Sequence, residues 1–194
     1  MHYDPNIHHR RSIRLEGYDY SQEGLYFVTI CTEKRDCLFG KISNGIMVLN
    51  EMGIIAYHEW LATPVIRKNV GLDVFVVMPN HIHGIIIIKE SGRGGELNSP
   101  VNNEEEGVCK QGVCNTPQQP RRLHSPSQTI GSIVRGYKSS VTGKINALKN
   151  AKGIVVWQSN YWEHIIRDER SYSNISEYII NNPTNWTTDK LYIQ

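Results

Sequence analysis

The sequence lacks a long hydrophobic run, has few cysteines and contains a wide gap in its acidic residues. No apolar segment of the 194-residue chain approaches the roughly 18 residues that a membrane-spanning helix needs. The opening residues, MHYDPNIHHRR, carry no apolar stretch behind their charges, which predicts no signal peptide. Four cysteines are too few for a disulfide scaffold at this length. We therefore expect reduced thiols and a cytoplasmic protein without a membrane span.

The length and composition predict a single globular domain. A chain of 194 residues falls within the roughly 100–200 residues of one domain, and hydrophobic residues at 39% argue against disorder. Residues 91–126 are rich in Gly, Pro, Asn and Gln, which predicts a mobile insert within one domain spanning 1–194. Cys109 and Cys114 lie in this insert, and their spacing favours two free thiols over a zinc site.

The acidic residues are absent from one long segment. Between Glu106 and Glu163 there is no Asp or Glu, although the whole chain has a net charge of +2. This segment carries eight basic residues: Lys110, Arg121, Arg122, Arg135, Lys138, Lys144, Lys149 and Lys152. Counterion release favours the binding of such a segment to a phosphate backbone. It predicts either nucleic-acid contact or a solvated, mildly basic surface.

Periodicity predicts an alternation of short strands and helices. Strands are predicted at 25–32, 72–78, 81–89 and 153–156. Helices are predicted at 50–61 with Asn50 as cap, from the capping box 125–128 to Leu148, and at 168–182. The order favours an α+β fold, an antiparallel ferredoxin-like or RRM-like sheet with two helices on one face. The C-terminal helix is then the candidate to cover the other face.

Two histidines follow the predicted turn Pro79-Asn80. His81 and His83 are two residues apart on a strand, so both side chains leave the same face of the sheet. Two imidazoles in that position can chelate one divalent metal ion. The alternative is a hydrogen-bonded pair of histidines beside a turn. The apolar residues around them favour a ligand, because two buried imidazoles without a partner are costly.

A second group of polar residues lies on the C-terminal helix. Tyr178 and Asn182 are four residues apart and therefore project side by side. Tyr172, Ile175 and Ile179 form the neighbouring apolar stripe, so Tyr178 lies at the border of the buried face. Tyr178 is either a core tyrosine or a group that enters a site, and Asn182 before Pro183 either ends the helix or acts there.

These groups together favour metal-assisted cleavage of a phosphodiester. A metal ion held by two imidazoles and an amide oxygen neutralises a phosphate, and a phenol attacks phosphorus and becomes covalently attached. Arg121, Arg122, Arg135, Lys138 and Lys144 would hold the strand. Trp157, Tyr161 and Trp162 either stack unpaired bases or pack in the core.

Four segments resemble a known family. They are RRSIRLEGYDYSQEGLYFVTI, VMPNHIHGIIII, SIVRGYKSSVT and VWQSNYWEHIIRDERSYSNISEYIINNP. They resemble the REP-associated tyrosine transposases, single-tyrosine enzymes of the HUH endonuclease superfamily. The resemblance spans about residues 10–90 and 127–186 and leaves the insert uncovered.

The resemblance implies the role of each site residue. By it, His81 and His83 are metal ligands, Asn182 is the third ligand and Tyr178 is the nucleophile. It implies Mg²⁺ or Mn²⁺ as cofactor, and single-stranded or hairpin DNA as substrate, with a 5′-phosphotyrosine intermediate and a free 3′-hydroxyl. Glu163 and His164 match a recurrent pair of the family. The oligomeric state that it implies is a monomer or a homodimer.

Two other functions fit the same residues. A non-catalytic single-strand nucleic-acid binder of RRM-like shape would bind in a salt-dependent manner without metal. A metal-dependent phosphodiesterase would cleave with water as nucleophile, and its tyrosine would be structural. The geometry of Tyr178 relative to the two histidines discriminates among these functions.

Overall fold

The computed structural model describes residues 19–89 and 128–193, which contain six strands and three α-helices. The strands are β1 (Gly24–Cys31), β2 (Gly40–Ser43), β3 (Ile46–Leu49), β4 (Val70–Val77), β5 (His81–Ile88) and β6 (Trp162–Ile166). The helices are α1 (Glu51–Ile66), α2 (Ile130–Leu148) and α3 (Glu169–Asn181), with short 3-10 turns at Glu33–Arg35 and Trp186–Thr188. The insert predicted at 91–126, with Cys109 and Cys114, lies outside the described residues.

The main sheet has four strands in the order β4-β5-β1-β6, and every neighbouring pair is antiparallel. With α1 and α2 as the connections, this is the predicted α+β plan of ferredoxin-like proteins, and that prediction is confirmed. β5 lies between β4 and β1. In the pairing of β5 with β1, His83 lies opposite Thr29 and His81 lies opposite Cys31. The two histidines therefore lie on an interior strand of the sheet.

The two faces of the sheet carry different layers. Alternate residues of β1 and β5 point to opposite faces. One set, with Tyr26 and Ile86, packs in the main core with α1 and α2. The other set, with Phe27 and Ile85, packs with Ile179 of α3. The C-terminal helix thus covers the face opposite α1 and α2, as predicted, and His81 and His83 belong to that face.

Local sequence signals set the helix boundaries. Asn50 accepts a hydrogen bond from the backbone N–H of Gly53 at 2.9 Å and begins α1, as predicted. The capping box predicted at 125–128 is wrong as the start of α2. Thr129 is the cap, and its hydroxyl accepts the Ser132 N–H at 3.3 Å. Asp168 caps α3 through the Ser171 N–H at 2.7 Å. Among the described residues, no helix has the length and apolarity to cross a bilayer.

The predicted strand at 153–156 is wrong, and the fourth strand of the sheet is β6. Gly153 has a positive φ of 84°, and Trp157 makes only an isolated bridge to Thr32. Val156 and Trp157 turn into the main core instead of extending a ladder. The chain reaches the free edge of β1 five residues later, at Trp162. The β2–β3 hairpin was not predicted, because its strands are only four residues long.

Substitutions of two glycines, one on β5 and one on α2, test how closely the helices pack. Gly84 lies under α1, where an added Cβ would stand 2.6 Å from Trp60 Cζ2 and 3.0 Å from Phe75 Cβ. We expect Gly84→Ala to lower the free energy of unfolding by about 1–3 kcal/mol through overpacking. A Cβ at Gly143 of α2 meets no atom within 4 Å. Gly143→Ala should therefore raise stability by up to about 1 kcal/mol. Urea unfolding of both variants measures the difference, and equal shifts would contradict this packing.

Candidate active site

The two histidines are buried side by side beneath α3. The relative exposure of His81 is 0% and that of His83 is 2%, and their ring centroids lie 4.4 Å apart. Both imidazoles face the same side because side chains alternate along β5. Trp186, in the turn after α3, lies against His81 with ring centroids 6.0 Å apart. The sheet thus holds two buried imidazole rings side by side.

Hydrogen bonds orient the two imidazoles. Asn80 donates its amide N–H to the Leu191 carbonyl at 2.8 Å, so its Oδ1 faces His81 Nδ1, also at 2.8 Å. His81 Nδ1–H therefore donates, and Nε2 keeps a lone pair that has no hydrogen-bond partner among the described residues. Thr29 Oγ1 lies within hydrogen-bond distance of His83 Nδ1, at 2.8 Å, and holds the ring of His83 in place. Such partners on the far nitrogen fix the ring of a metal-binding histidine.

Burial keeps both imidazoles neutral. Burial lowers the pKa of His81 to about 4, against the opposing effect of the Asp189 carboxylate. Burial also lowers the pKa of His83 well below its usual range, and the neighbouring His81 adds to this effect. Both rings are therefore uncharged at pH 7, which is the form that ligates a metal ion.

Tyr178 projects from α3 into the same pocket. Its hydroxyl lies 3.1 Å from His83 Nε2 and donates to Asp189 Oδ2, also at 3.1 Å. Its ring stands edge-on to Phe27, with an interplanar angle of 90°. Burial, with the Asp189 carboxylate beside it, raises the pKa of Tyr178 to about 12. The side chain is 45% exposed, so the phenol faces both the histidines and the solvent.

Asn182 and Asp189 complete the cluster. Asn182, at the end of α3, donates its Nδ2–H to Asp189 Oδ2 at 2.7 Å. Its Oδ1 is buried and accepts no hydrogen bond from the part of the chain that the structure describes. The ligand atoms of His81, His83 and Asp189 all lie within 4.8 Å of one another. The structure thus brings the four residues predicted from the sequence together and adds a carboxylate.

Sequence reasoning missed Asp189, Asn80 and Thr29 as members of the site. Asp189 follows Pro183 and the 3-10 turn Trp186–Thr188, so no helical or strand periodicity connects it to Tyr178. The packing of Trp186 against His81 turns the chain back toward the site. The only sequence signal for Asp189 was an acidic residue shortly after the Asn182-Pro183 pair. No rule of helix or strand spacing relates that position to the site.

The donor set fits a divalent metal ion. Among the described residues, His81 Nε2 and Asn182 Oδ1 are buried without a hydrogen-bond partner, and the ligand atoms of His81, His83 and Asp189 form one close group. Imidazole nitrogens suit first-row transition-metal ions, and carboxylate and amide oxygens also suit Mg²⁺ and Mn²⁺. Only the carboxylate brings negative charge to this set.

The predicted DNA-binding residues have different environments. Lys144 forms an ion pair with the buried Glu59, which also accepts from Ser140. Lys138 donates to the carbonyls of Gln158 and Asn160 at 2.8 and 2.9 Å, and burial lowers its pKa to about 8. Both lysines therefore have structural partners.

The other residues that were predicted to contact DNA or support the site also lie in different environments. Arg135 is exposed on α2. Trp157 is 6% exposed and packs in the main core, which favours the packing alternative over base stacking. Arg121 and Arg122 lie outside the described residues. Of the Glu163-His164 pair, His164 lies on the site face of β6 with Trp162, whereas Glu163 points to the other face.

Comparisons with known proteins give one close relative and a shared fold. No family model matches the chain. An uncharacterized protein of Haemophilus influenzae is 47% identical over 98% of this chain and 97% of its own length. The chain belongs to the same family as that protein.

The fold is also that of a solved transposase. A REP-associated tyrosine transposase bound to a REP hairpin matches 92% of this chain and 77% of its own, with a TM-score of 0.53 and 18% identity. A putative transposase from Deinococcus radiodurans has a TM-score of 0.42, with 15% identity over 88% of this chain and 97% of its own. The resemblance noted in the sequence is thus confirmed at the level of the fold.

Proposed function

We propose that this protein is a metal-dependent single-stranded DNA endonuclease and strand transferase of the DNA transposition type, with Tyr178 as nucleophile. The observation that supports it most is the 3.1 Å separation of the Tyr178 hydroxyl from His83 Nε2. This hydroxyl lies between the buried imidazole of His83 and the solvent. The phenol is thus within reach of a phosphate placed at the cluster.

The chemistry follows from the residues of the cluster. The Tyr178 oxygen attacks phosphorus and forms an O–P bond to the 5′-phosphate while the bond between phosphorus and the 3′-oxygen breaks. The 3′-oxygen takes a proton from solvent and leaves as a hydroxyl. Asp189 Oδ2 already accepts the hydrogen bond of the phenol and would take its proton. His81, His83 and Asn182 would hold the metal ion, with Asp189 beside them. When bound, Mg²⁺ or Mn²⁺ supplies the positive charge that favours the phenolate and neutralises the phosphate.

A covalent trapping assay tests this proposal. A labelled single strand with a hairpin is incubated with the protein and Mn²⁺, and the mixture is resolved under denaturing conditions. We expect a labelled band of protein linked to DNA that disappears with EDTA and is absent with a fully duplex substrate. Free cleaved DNA without a protein-linked band would instead support attack by water. Binding without any cleavage would support a non-catalytic binder.

Arg135 gives a prediction about DNA binding. It is exposed on α2, on the sheet face opposite α3, so we assign it to DNA beyond the scissile phosphate. Arg135→Ala should make the slope of log affinity against log salt shallower by about 0.7–0.9, the value of one phosphate contact. The rate of cleavage at saturating DNA should stay unchanged. Binding titrations at several salt concentrations measure the slope. Arg135→Lys keeps the charge and should keep the slope, and a loss of slope in both variants would contradict a purely electrostatic contact.

A further inference from the structure

A cavity of about 740 Å³ opens beside the Tyr178 hydroxyl. Phe27 and Thr29 of β1 form its base together with His83, and Trp162 of β6 forms one side. The stretch 188–191 forms the opposite side. Its volume lies within the roughly 300–1,000 Å³ that is typical of sites for small molecules. The candidate nucleophile thus sits in the wall of a space larger than a phosphate group needs.

One wall of this cavity is an exposed aromatic surface. Trp162 is 42% exposed and stands edge-on to Phe27 at a centroid distance of 5.4 Å. His164, two residues along β6, lies parallel to Trp162 with an interplanar angle of 5° and a centroid distance of 5.9 Å. Phe27 in turn packs edge-on against Tyr178. A row of rings therefore extends from the phenol to the free edge of the sheet.

The rim of the cavity carries polar and charged groups. Gln158 and Asn160 line it, and carboxamides of this kind pair with the edges of bases. Lys138 fixes this stretch by binding the carbonyls of Gln158 and Asn160. Lys190, exposed on the opposite side, brings a positive charge to the entrance. Flat rings, amides and a cation match the base, base edge and phosphate of one nucleotide.

We infer that this cavity binds one unpaired nucleobase next to the scissile phosphate, stacked on Trp162. This inference rests on the proposed function and adds a specific subsite to it. Stacking on an aromatic side chain is the contact through which unpaired bases of any sequence are held. A base held on Trp162 would keep its own phosphate close to the Tyr178 oxygen. The strand would then enter along the free edge of β6.

A thermodynamic cycle tests the subsite without cleavage. Binding is measured in the Tyr178→Phe background, with hairpin-tailed single strands in which one base at a time around the cleavage position is removed. We expect one abasic position to weaken binding by about 5- to 100-fold, the range for one stacked base. Trp162→Ala should weaken binding of the intact strand to a similar extent. In the Trp162→Ala protein, the same abasic position should then have no further effect.

The control is Tyr57→Ala, because Tyr57 is an exposed aromatic residue on α1, across the sheet from the cavity. It should bind every strand as the parent does. Unchanged binding of the intact strand by Trp162→Ala, or equal abasic effects with and without Trp162, would overturn the subsite. Covalent trapping with the wild-type protein reports separately on the proposed function, so an adduct without Trp162 dependence overturns the subsite alone.

Discussion

The Tyr178→Phe variant is expected to form no covalent adduct with DNA, a loss of at least about 10³-fold relative to the wild type. The substitution removes the one oxygen that lies 3.1 Å from His83 Nε2. The ring that packs against Phe27 remains. Because the hydroxyl is partly exposed, its hydrogen bonds contribute only about 1 kcal/mol to stability. The variant should therefore fold and should bind single-stranded DNA with nearly the wild-type affinity.

The matched control for this experiment lies on the same helix. Tyr172 is also a tyrosine of α3, but its hydroxyl donates to Asp73 of β4 at 2.8 Å and does not face the histidines. Tyr172→Phe should form the adduct as the wild type does. Cleavage that survives in Tyr178→Phe would mean that water attacks the phosphate and that Tyr178 is structural.

The second large effect is expected at the histidine pair. His83→Ala removes a buried neutral imidazole from the cluster that also contains His81 and Asp189. Loss of a partner of a metal ligand lowers metal affinity by about 10–100-fold, so loss of the ligand itself should lower it at least as much. We expect Mn²⁺ affinity to fall in calorimetric titrations and adduct formation to disappear. DNA binding should stay within about twofold, because a neutral imidazole contributes no counterion release.

His58→Ala is the control for the metal experiment. His58 lies exposed on α1, on the far side of the sheet, with its ring against Tyr57. Its removal should change neither Mn²⁺ affinity nor adduct formation. Equal metal affinity in the wild type and His83→Ala would place the metal ion elsewhere. Loss of DNA binding in His83→Ala together with loss of cleavage would contradict the separation of binding from chemistry.

Much of the site could be predicted because local periodicity determines it. A two-residue spacing places His81 and His83 on one face in any strand, and a four-residue spacing places Tyr178 beside Asn182 in any helix. What brings the two pairs together is the packing of α3 on the sheet, through Ile179 against Phe27 and Ile85. The apolar stripe of the helix and the uncovered sheet face were enough to predict that contact.

The other members of the site and the fourth strand of the sheet depend on contacts between residues that are distant in sequence. Asp189 reaches Tyr178 only because the chain turns back after α3, and Thr29 meets His83 only through the register of β1 and β5. Pairing with β1 also determines which segment forms the fourth strand, and the strand predicted at 153–156 was wrong for this reason. Trp162–Ile166 is the segment that pairs with β1, although 153–156 has the more strand-like composition.

The distribution of charge along the sequence predicted the DNA-binding residues only in part, because it does not show which basic side chains have partners within the protein. The acid-free segment contains Lys144, but its partner Glu59 belongs to α1, far earlier in the chain. Lys138 is held by three carbonyls of the stretch that follows it, Gln158, Ser159 and Asn160. Arg135 is the predicted basic contact that remains exposed without such a role in the described part of the chain. Charge counted along a sequence thus overestimates the charge offered to DNA.

The most direct test of the proposed chemistry is to identify the atom that carries the DNA. The covalent adduct formed by the wild-type protein with Mn²⁺ is digested with protease and nuclease, and the modified peptide is sequenced by mass spectrometry. We expect a single modified peptide from α3, with a nucleotide joined through its 5′-phosphate to Tyr178. A phosphate on any other residue, or a 3′-linked nucleotide on Tyr178, would contradict the proposed mechanism.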